Sequence, residues 1–129
     1  VHRGAIRRRL ALGLAVLTAS GLLAVAAPGD ARAATALCPG RKVRALPFST
    51  GTVLVYKRGG YVCAVTLPKR PGTPRKMSVS VQARGNRPVV DAGRYAHHAG
   101  PVTVHAGRRC VWLKGQVGRG KFSSGWILC

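Results

Sequence analysis

Acidic residues are nearly absent from this chain: 129 residues carry two, Asp30 and Asp91, against 22 Lys and Arg. A glycosidase-like site needs two facing carboxylates, and most hydrolytic chemistry of that kind is excluded with them. Aromatic residues are also few, 5% of the total, which leaves little for stacking nucleic-acid bases once a core has taken its share. No CxxC pair occurs, and a metal site would have to recruit His97, His98 or His105 from unrelated segments. Helical periodicity, internal repeats and low-complexity tracts are missing beyond the first 33 residues. The length allows one ordinary domain rather than two.

What is present begins with an export signal. Arg3, Arg7, Arg8 and Arg9 form a basic stretch, Leu10 to Ala27 is uncharged and apolar, and Ala31-Arg32-Ala33 follows the Pro28-Gly29 break. Residues 1–33 read as a secretory signal peptide cleaved after Ala33. An uncleaved membrane anchor is the alternative, weakened by Gly13, Thr18, Ser20 and Gly21 within the apolar run. Cleavage leaves no transmembrane segment. Removing five arginines from the 22 basic residues leaves 17 on residues 34–129, against Asp91 alone, a net charge of +16. All four cysteines, Cys38, Cys63, Cys110 and Cys129, lie in this part. Export, an even count and a short chain argue for two disulfides rather than a metal site or a catalytic thiol.

Alternation with period two recurs along residues 34–129, so the domain reads as all-β, a small disulfide-stapled sandwich or barrel built from antiparallel hairpins. Thr52 to Tyr56 and Tyr61 to Leu67 flank the turn Lys57-Arg58-Gly59-Gly60. Met77, Val79 and Val81 alternate with Ser78, Ser80 and Gln82, and a turn at Gly85-Asn86 sets Val81 opposite Val90. Val102 and Val104 alternate with Thr103 and His105, and segments 108–117 and 122–129 close around Gly118 to Lys121. Pro68 to Lys76 and Ala96 to Pro101 read as loops, because Pro donates no ladder hydrogen bond.

Several patterns invite a catalytic reading and fail it. Gly115, Gly120 and Lys121 match part of a phosphate-binding loop, but Phe122 replaces the required Ser or Thr and no helix follows, so the glycines read as turn residues. Ser49, Ser78, Ser80, Ser123 and Ser124 occupy no G-x-S-x-G elbow. His97-His98 reads as a pair of exposed loop histidines. Asp91, among 17 cations, is expected in a salt bridge with an arginine. No catalytic residue, metal or cofactor is assigned, and the protein reads as non-enzymatic.

Cys38-Pro39-Gly40, Gly51-Thr52-Val53-Leu54-Val55-Tyr56, Cys63-Ala64-Val65-Thr66, Pro71-Gly72-Thr73, Met77-Ser78 and Asp91-Ala92-Gly93-Arg94-Tyr95 occur in that order. Ala99-Gly100-Pro101-Val102-Thr103-Val104, Cys110-Val111-Trp112 and Cys129 complete the set. In this order the chain resembles the small secreted proteins typified by spore-associated protein A of filamentous actinobacteria, over nearly all of residues 34–129. The resemblance implies an exported protein found with spores or the cell envelope, and carries no established catalytic residues. The chain departs from the pattern in having His98 where an aromatic residue is more usual and in being far more cationic.

A last-hairpin turn centred between Arg119 and Gly120 sets Cys110 opposite Cys129, with Val111 against Leu128, Leu113 against Trp126 and Val117 against Phe122 on the core face. Cys38 then pairs with Cys63. The cations fall in clusters, several of them at turns, and Lys69, Arg70, Arg75, Lys76, Arg108, Arg109, Arg119 and Lys121 are the expected polyanion-binding set. The expected partners are anionic cell-wall or spore-surface polymers, with possible non-specific nucleic acid. The alternative is an extracellular cationic effector, antimicrobial or nucleic-acid-binding.

Overall fold

The chain forms eight antiparallel strands, of which the first was not read from the sequence: β1 (Arg41–Phe48), β2 (Gly51–Arg58), β3 (Tyr61–Pro68), β4 (Arg75–Ala83), β5 (Val89–Tyr95), β6 (Ala99–His105), β7 (Val111–Val117) and β8 (Gly120–Ile127). The computed structural model describes residues 37–129, and the signal-peptide reading of residues 1–33 lies outside them. The strands form two four-stranded sheets, ordered β1-β2-β3-β6 and β5-β4-β7-β8, so the domain is a β-sandwich.

The core between the sheets is built from small branched side chains. Val53, Val55, Val62, Met77, Val79, Val81, Val111, Leu113 and Val117 are all buried and pack together with Ala64, Ala83, Ala99 and Ala106. Valine suits a pleated surface packed on both sides, since its stiff χ1 loses little freedom there. A second, smaller apolar group of Cys38, Tyr56, Cys63 and Val65, flanked by Leu54 and Leu67, occupies the other face of β2 and β3. The central strands of this sheet are therefore apolar on both faces.

Both disulfides join the expected partners, Cys38 to Cys63 and Cys110 to Cys129, across sequence separations of 25 and 19 residues. In the chain-entropy account each removes about 3 kcal/mol of freedom from the unfolded state. The register behind the second pairing is different from the one expected. The β7–β8 turn is the two-residue loop Gly118-Arg119, with Gly118 at φ +59°, and a positive φ at the first loop position is what such a hairpin loop takes. Val117 therefore faces Gly120 rather than Phe122, and Val111 faces Ile127 rather than Leu128. Trp126 faces Trp112, away from the core, instead of Leu113. Ile127 packs on the core, and Leu128, at φ +57°, turns the chain so that Cys129 meets Cys110.

Other expectations shift in the same way. Val81 pairs with Val89, and Val90 with Ser80, because the β4–β5 turn is centred on Gly85. The loop expected over Pro68 to Lys76 is shorter, since β3 runs through Pro68 and Arg75 already opens β4. The loop expected to reach Pro101 ends where β6 begins at Ala99. Pro101 is tolerated because β6 is an edge strand. The basic stretch Arg41 to Arg44 is part of β1, an edge strand with a bulge between Lys42 and Arg44; charge and bulge both keep such an edge from pairing further. Gly115 and Gly120 are not turn residues. Both lie in strands, where the missing side chain lets neighbours approach: a Cβ on Gly115 would sit 2.4 Å from Val53 Cγ2, and one on Gly120 would overlap Thr50 Oγ1.

Gly115 packs directly against Val53 of the facing sheet, so Gly115→Ala should lower stability by about 1–3 kcal/mol through overpacking. Chemical denaturation of the two proteins measures the difference. Gly59→Ala, at a turn with open space around it, should show only the smaller backbone effect of its positive φ.

Candidate polyanion-binding surface

Backbone hydrogen bonds tie four loops together at one end of the sandwich. Lys69 N–H donates to Thr50 O at 3.0 Å, Gly72 N–H to Ala96 O at 2.9 Å, and Gly118 N–H to Lys76 O at 2.7 Å. The β1–β2 turn, the β3–β4 loop, the β5–β6 loop and the β7–β8 turn thus form one surface. Six of the eight expected binding residues are gathered here: Lys69, Arg70, Arg75, Lys76, Arg119 and Lys121. Ser49, Thr50, Lys69, Arg70 and Arg75 line a groove of about 430 Å³. Its hydroxyls belong to the β1–β2 turn, a contribution that the charge pattern alone did not signal.

Arg108 and Arg109 stand at the opposite end, where Ala106 and Gly107 N–H groups donate to Gly60 O. Arg109 is a structural residue rather than a free cation. Its guanidinium donates to Ala106 O at 3.1 Å, Arg84 O at 3.3 Å and His105 O at 2.7 Å, which ties the end of β6 and the β6–β7 loop to the β4–β5 turn. Arg75 is partly committed as well, donating to Thr73 O at 3.2 Å and Arg70 O at 2.6 Å. This braces the β3–β4 loop and leaves the Lys69 and Arg70 side chains facing solvent. None of Lys69, Arg70, Lys76, Arg108, Arg119 and Lys121 donates a side-chain hydrogen bond to another described residue.

Asp91 makes no ion pair with an arginine among the described residues. Its carboxylate instead accepts from Tyr95 Oη at 2.5 Å and from Gly100 N–H at 2.8 Å. Asp91, Gly93 and Tyr95 share one side of β5, and a Cβ on Gly93 would lie 3.0 Å from the Tyr95 ring. Gly93 thus opens the space through which Tyr95 leans back to Asp91. The hydrogen bond, then burial and the carboxylate charge raise the Tyr95 pKa above its ordinary value of 10.0. His98 Nδ1 lies 2.9 Å from Gly100 O, so this histidine is half-buried and engaged by its loop, whereas His97 is exposed. The only carboxylate side chain among the described residues is therefore occupied in pinning β5 to the start of β6. The D-x-G-x-Y spacing carried the signal for this arrangement: three odd-numbered positions on one side of a strand, with the smallest residue in the middle.

The fold and these contacts define a disulfide-stapled, strongly basic β-sandwich. No family model matches the chain, and no curated protein or solved structure shows significant similarity to it.

A phenol that donates to a carboxylate stabilises the fold only while protonated. Because the folded Tyr95 pKa lies above the unfolded value, its contribution is complete below pH 10 and is lost as pH rises through the folded pKa. Thermal midpoints measured from pH 8 to 12 should fall more steeply for the wild type than for Tyr95→Phe. Asp91→Ala, which removes the acceptor of both donors, should lower the thermal midpoint at neutral pH.

Proposed function

We propose that this is a secreted, non-enzymatic cationic protein that associates with the cell envelope or spore surface and binds anionic polymers there by charge. The observation that carries this reading is the uncompensated charge of the folded domain. Seventeen basic side chains surround one acidic one, and that carboxylate is bonded to Tyr95 and Gly100 rather than to a cation. A polyanion supplies the missing countercharge and releases its own counterions on binding. Two disulfides fit an oxidising compartment, and no helix among the described residues is long and apolar enough to cross a membrane. The resemblance to spore-associated protein A-like proteins supports the same location.

The end of the sandwich carrying Lys69, Arg70, Arg119 and Lys121 is the principal contact. Its cations come from the β3–β4 loop, the β7–β8 turn and the start of β8 and are exposed to solvent, an arrangement suited to a flexible polymer.

Replacing Lys69, Arg70, Arg119 and Lys121 with Gln should leave the thermal midpoint nearly unchanged. The slope of log affinity against log salt, measured by titration with a teichoic acid or heparin, should become shallower by about three. Arg109→Gln should instead lower stability with little change in slope. A slope equal to that of the wild type in the quadruple variant would refute the assignment of this surface. Tight binding of a neutral glycan, insensitive to salt, would refute the reading as a whole.

A further inference from the structure

Strand β8 contains an irregularity that determines where its tryptophan goes. Near the turn, Gly115 faces Phe122 and Lys114 faces Ser123, and unbroken pairing would place Trp126 opposite Val111, on the core face. The register shifts between Trp112 and Lys114, where β8 spends one residue more than β7. Ser124 and Gly125 form this bulge, with Gly125 at φ +70°. Ser124 Oγ accepts the Leu113 N–H at 2.8 Å and donates to Gly125 O at 2.6 Å. Beyond the bulge Ile127 takes the place opposite Val111, and Trp126 emerges beside Trp112 with 37% of its surface exposed. Exposing an indole forgoes a large apolar contribution to the core. Bulges of this kind re-aim side chains at functional surfaces.

The two indoles meet nearly perpendicularly, 5.3 Å between centroids and 86° between planes, and form an angular corner. The Arg84 guanidinium lies 5.7 Å from the Trp126 ring centre, and Trp112 Nε1–H donates to Ser123 Oγ at 2.7 Å. Along the same outer face of β4, β7 and β8 lies a shallow cleft of about 430 Å³, whose lining includes Ser78, Lys114, Gln116, Lys121 and Ser123. From Trp112 to Gln116 the strand advances about 13 Å. One surface therefore offers an aromatic corner, then hydroxyl and amide groups, then two ammonium groups.

We propose that this face binds an acidic polysaccharide, a chain of uronate-type sugars. The C–H side of one pyranose packs into the Trp112–Trp126 corner, and the carboxylates of neighbouring sugars meet Lys114 and Lys121. Hydroxyls of the chain are served by Ser78 and Gln116. A phosphate-only polymer would have no use for the indoles. A nucleic-acid base requires an open flat ring face, whereas here the rings stand edge to face and Arg84 flanks Trp126. The inference rests on the proposed polyanion binding and names the class of polymer that this surface selects.

Both tryptophans of the chain are on this face, so tryptophan emission, excited selectively over tyrosine, reports on it alone. The test compares polygalacturonate, inorganic polyphosphate and single-stranded oligothymidylate with wild type, Trp126→Ala and Lys114→Gln/Lys121→Gln, in low salt and in about 0.5 M salt, where charge is largely screened. Polygalacturonate should shift the wild-type emission, while polyphosphate at matched charge should not. Trp126→Ala should weaken polygalacturonate binding about tenfold and leave polyphosphate binding unchanged. The lysine pair should lower the affinity for both polymers in low salt. Unchanged emission with polygalacturonate would by itself overturn this inference while leaving charge-driven binding intact, and so would wild-type affinity for polygalacturonate in Trp126→Ala. A larger effect of Trp126→Ala on oligothymidylate than on polygalacturonate would overturn it in favour of base stacking. Failure of every polyanion to bind in low salt would overturn the reading on which it rests. Since fluorescence is read on the unmodified protein, the test stands even if a variant fails to fold.

Discussion

Like charge without a counterpart is the constraint under which this domain is built. Two cations about 10 Å apart in water repel by about 0.4 kcal/mol before screening, and 17 of them share the domain with one carboxylate. The fold answers by placement. Cations sit on loops, on the edge strand β1 and on the outer face of the second sheet, where solvent and salt screen them, and none is buried among the core valines. Cohesion comes from the Val, Ala, Met77 and Leu113 layer and from two covalent links. Where a cation is bound in place, as Arg109 and Arg75 are, it is bound to carbonyl oxygens, which are the anionic ends of dipoles available when carboxylates are not.

The same scarcity explains the use made of Asp91. Paired with an arginine at the surface it would contribute little. Accepting from Tyr95 and Gly100 it joins β5, in one sheet, to β6, in the other, at the point where the chain changes sheet. The function proposed for the domain therefore does not draw on its only acid. It draws on what that acid leaves uncompensated.

Much of the architecture was legible in the alternation of apolar residues. Met77, Val79 and Val81 against Ser78, Ser80 and Gln82 marked the two faces of β4 correctly, and the cysteine pairing followed from the idea that the last hairpin brings its ends together. The details that failed share one cause. Register depends on which residues form the turn and where a bulge falls, and alternation is silent on both. Reading Gly118 to Lys121 as the loop, rather than Gly118-Arg119, displaced every pair in β7 and β8. The Ser124-Gly125 bulge then turned Trp126 to the outer face, so a residue read as core became the most exposed tryptophan. Strand β1 went unread because a basic edge strand shows only Val43, Leu46 and Phe48 to the core. The cationic clusters were legible as composition, but their division between two ends, and the commitment of Arg109 to three carbonyls, required the fold.

Thermal unfolding of the β-sandwich domain, followed across a salt series with and without a small amount of polyanion, tests the central claim most directly. If uncompensated positive charge governs this domain, added salt raises the midpoint by screening self-repulsion. A polyanion then raises it further in low salt, as a ligand of the folded state, and that increment disappears as salt increases. A midpoint indifferent to both salt and polyanion would contradict the account.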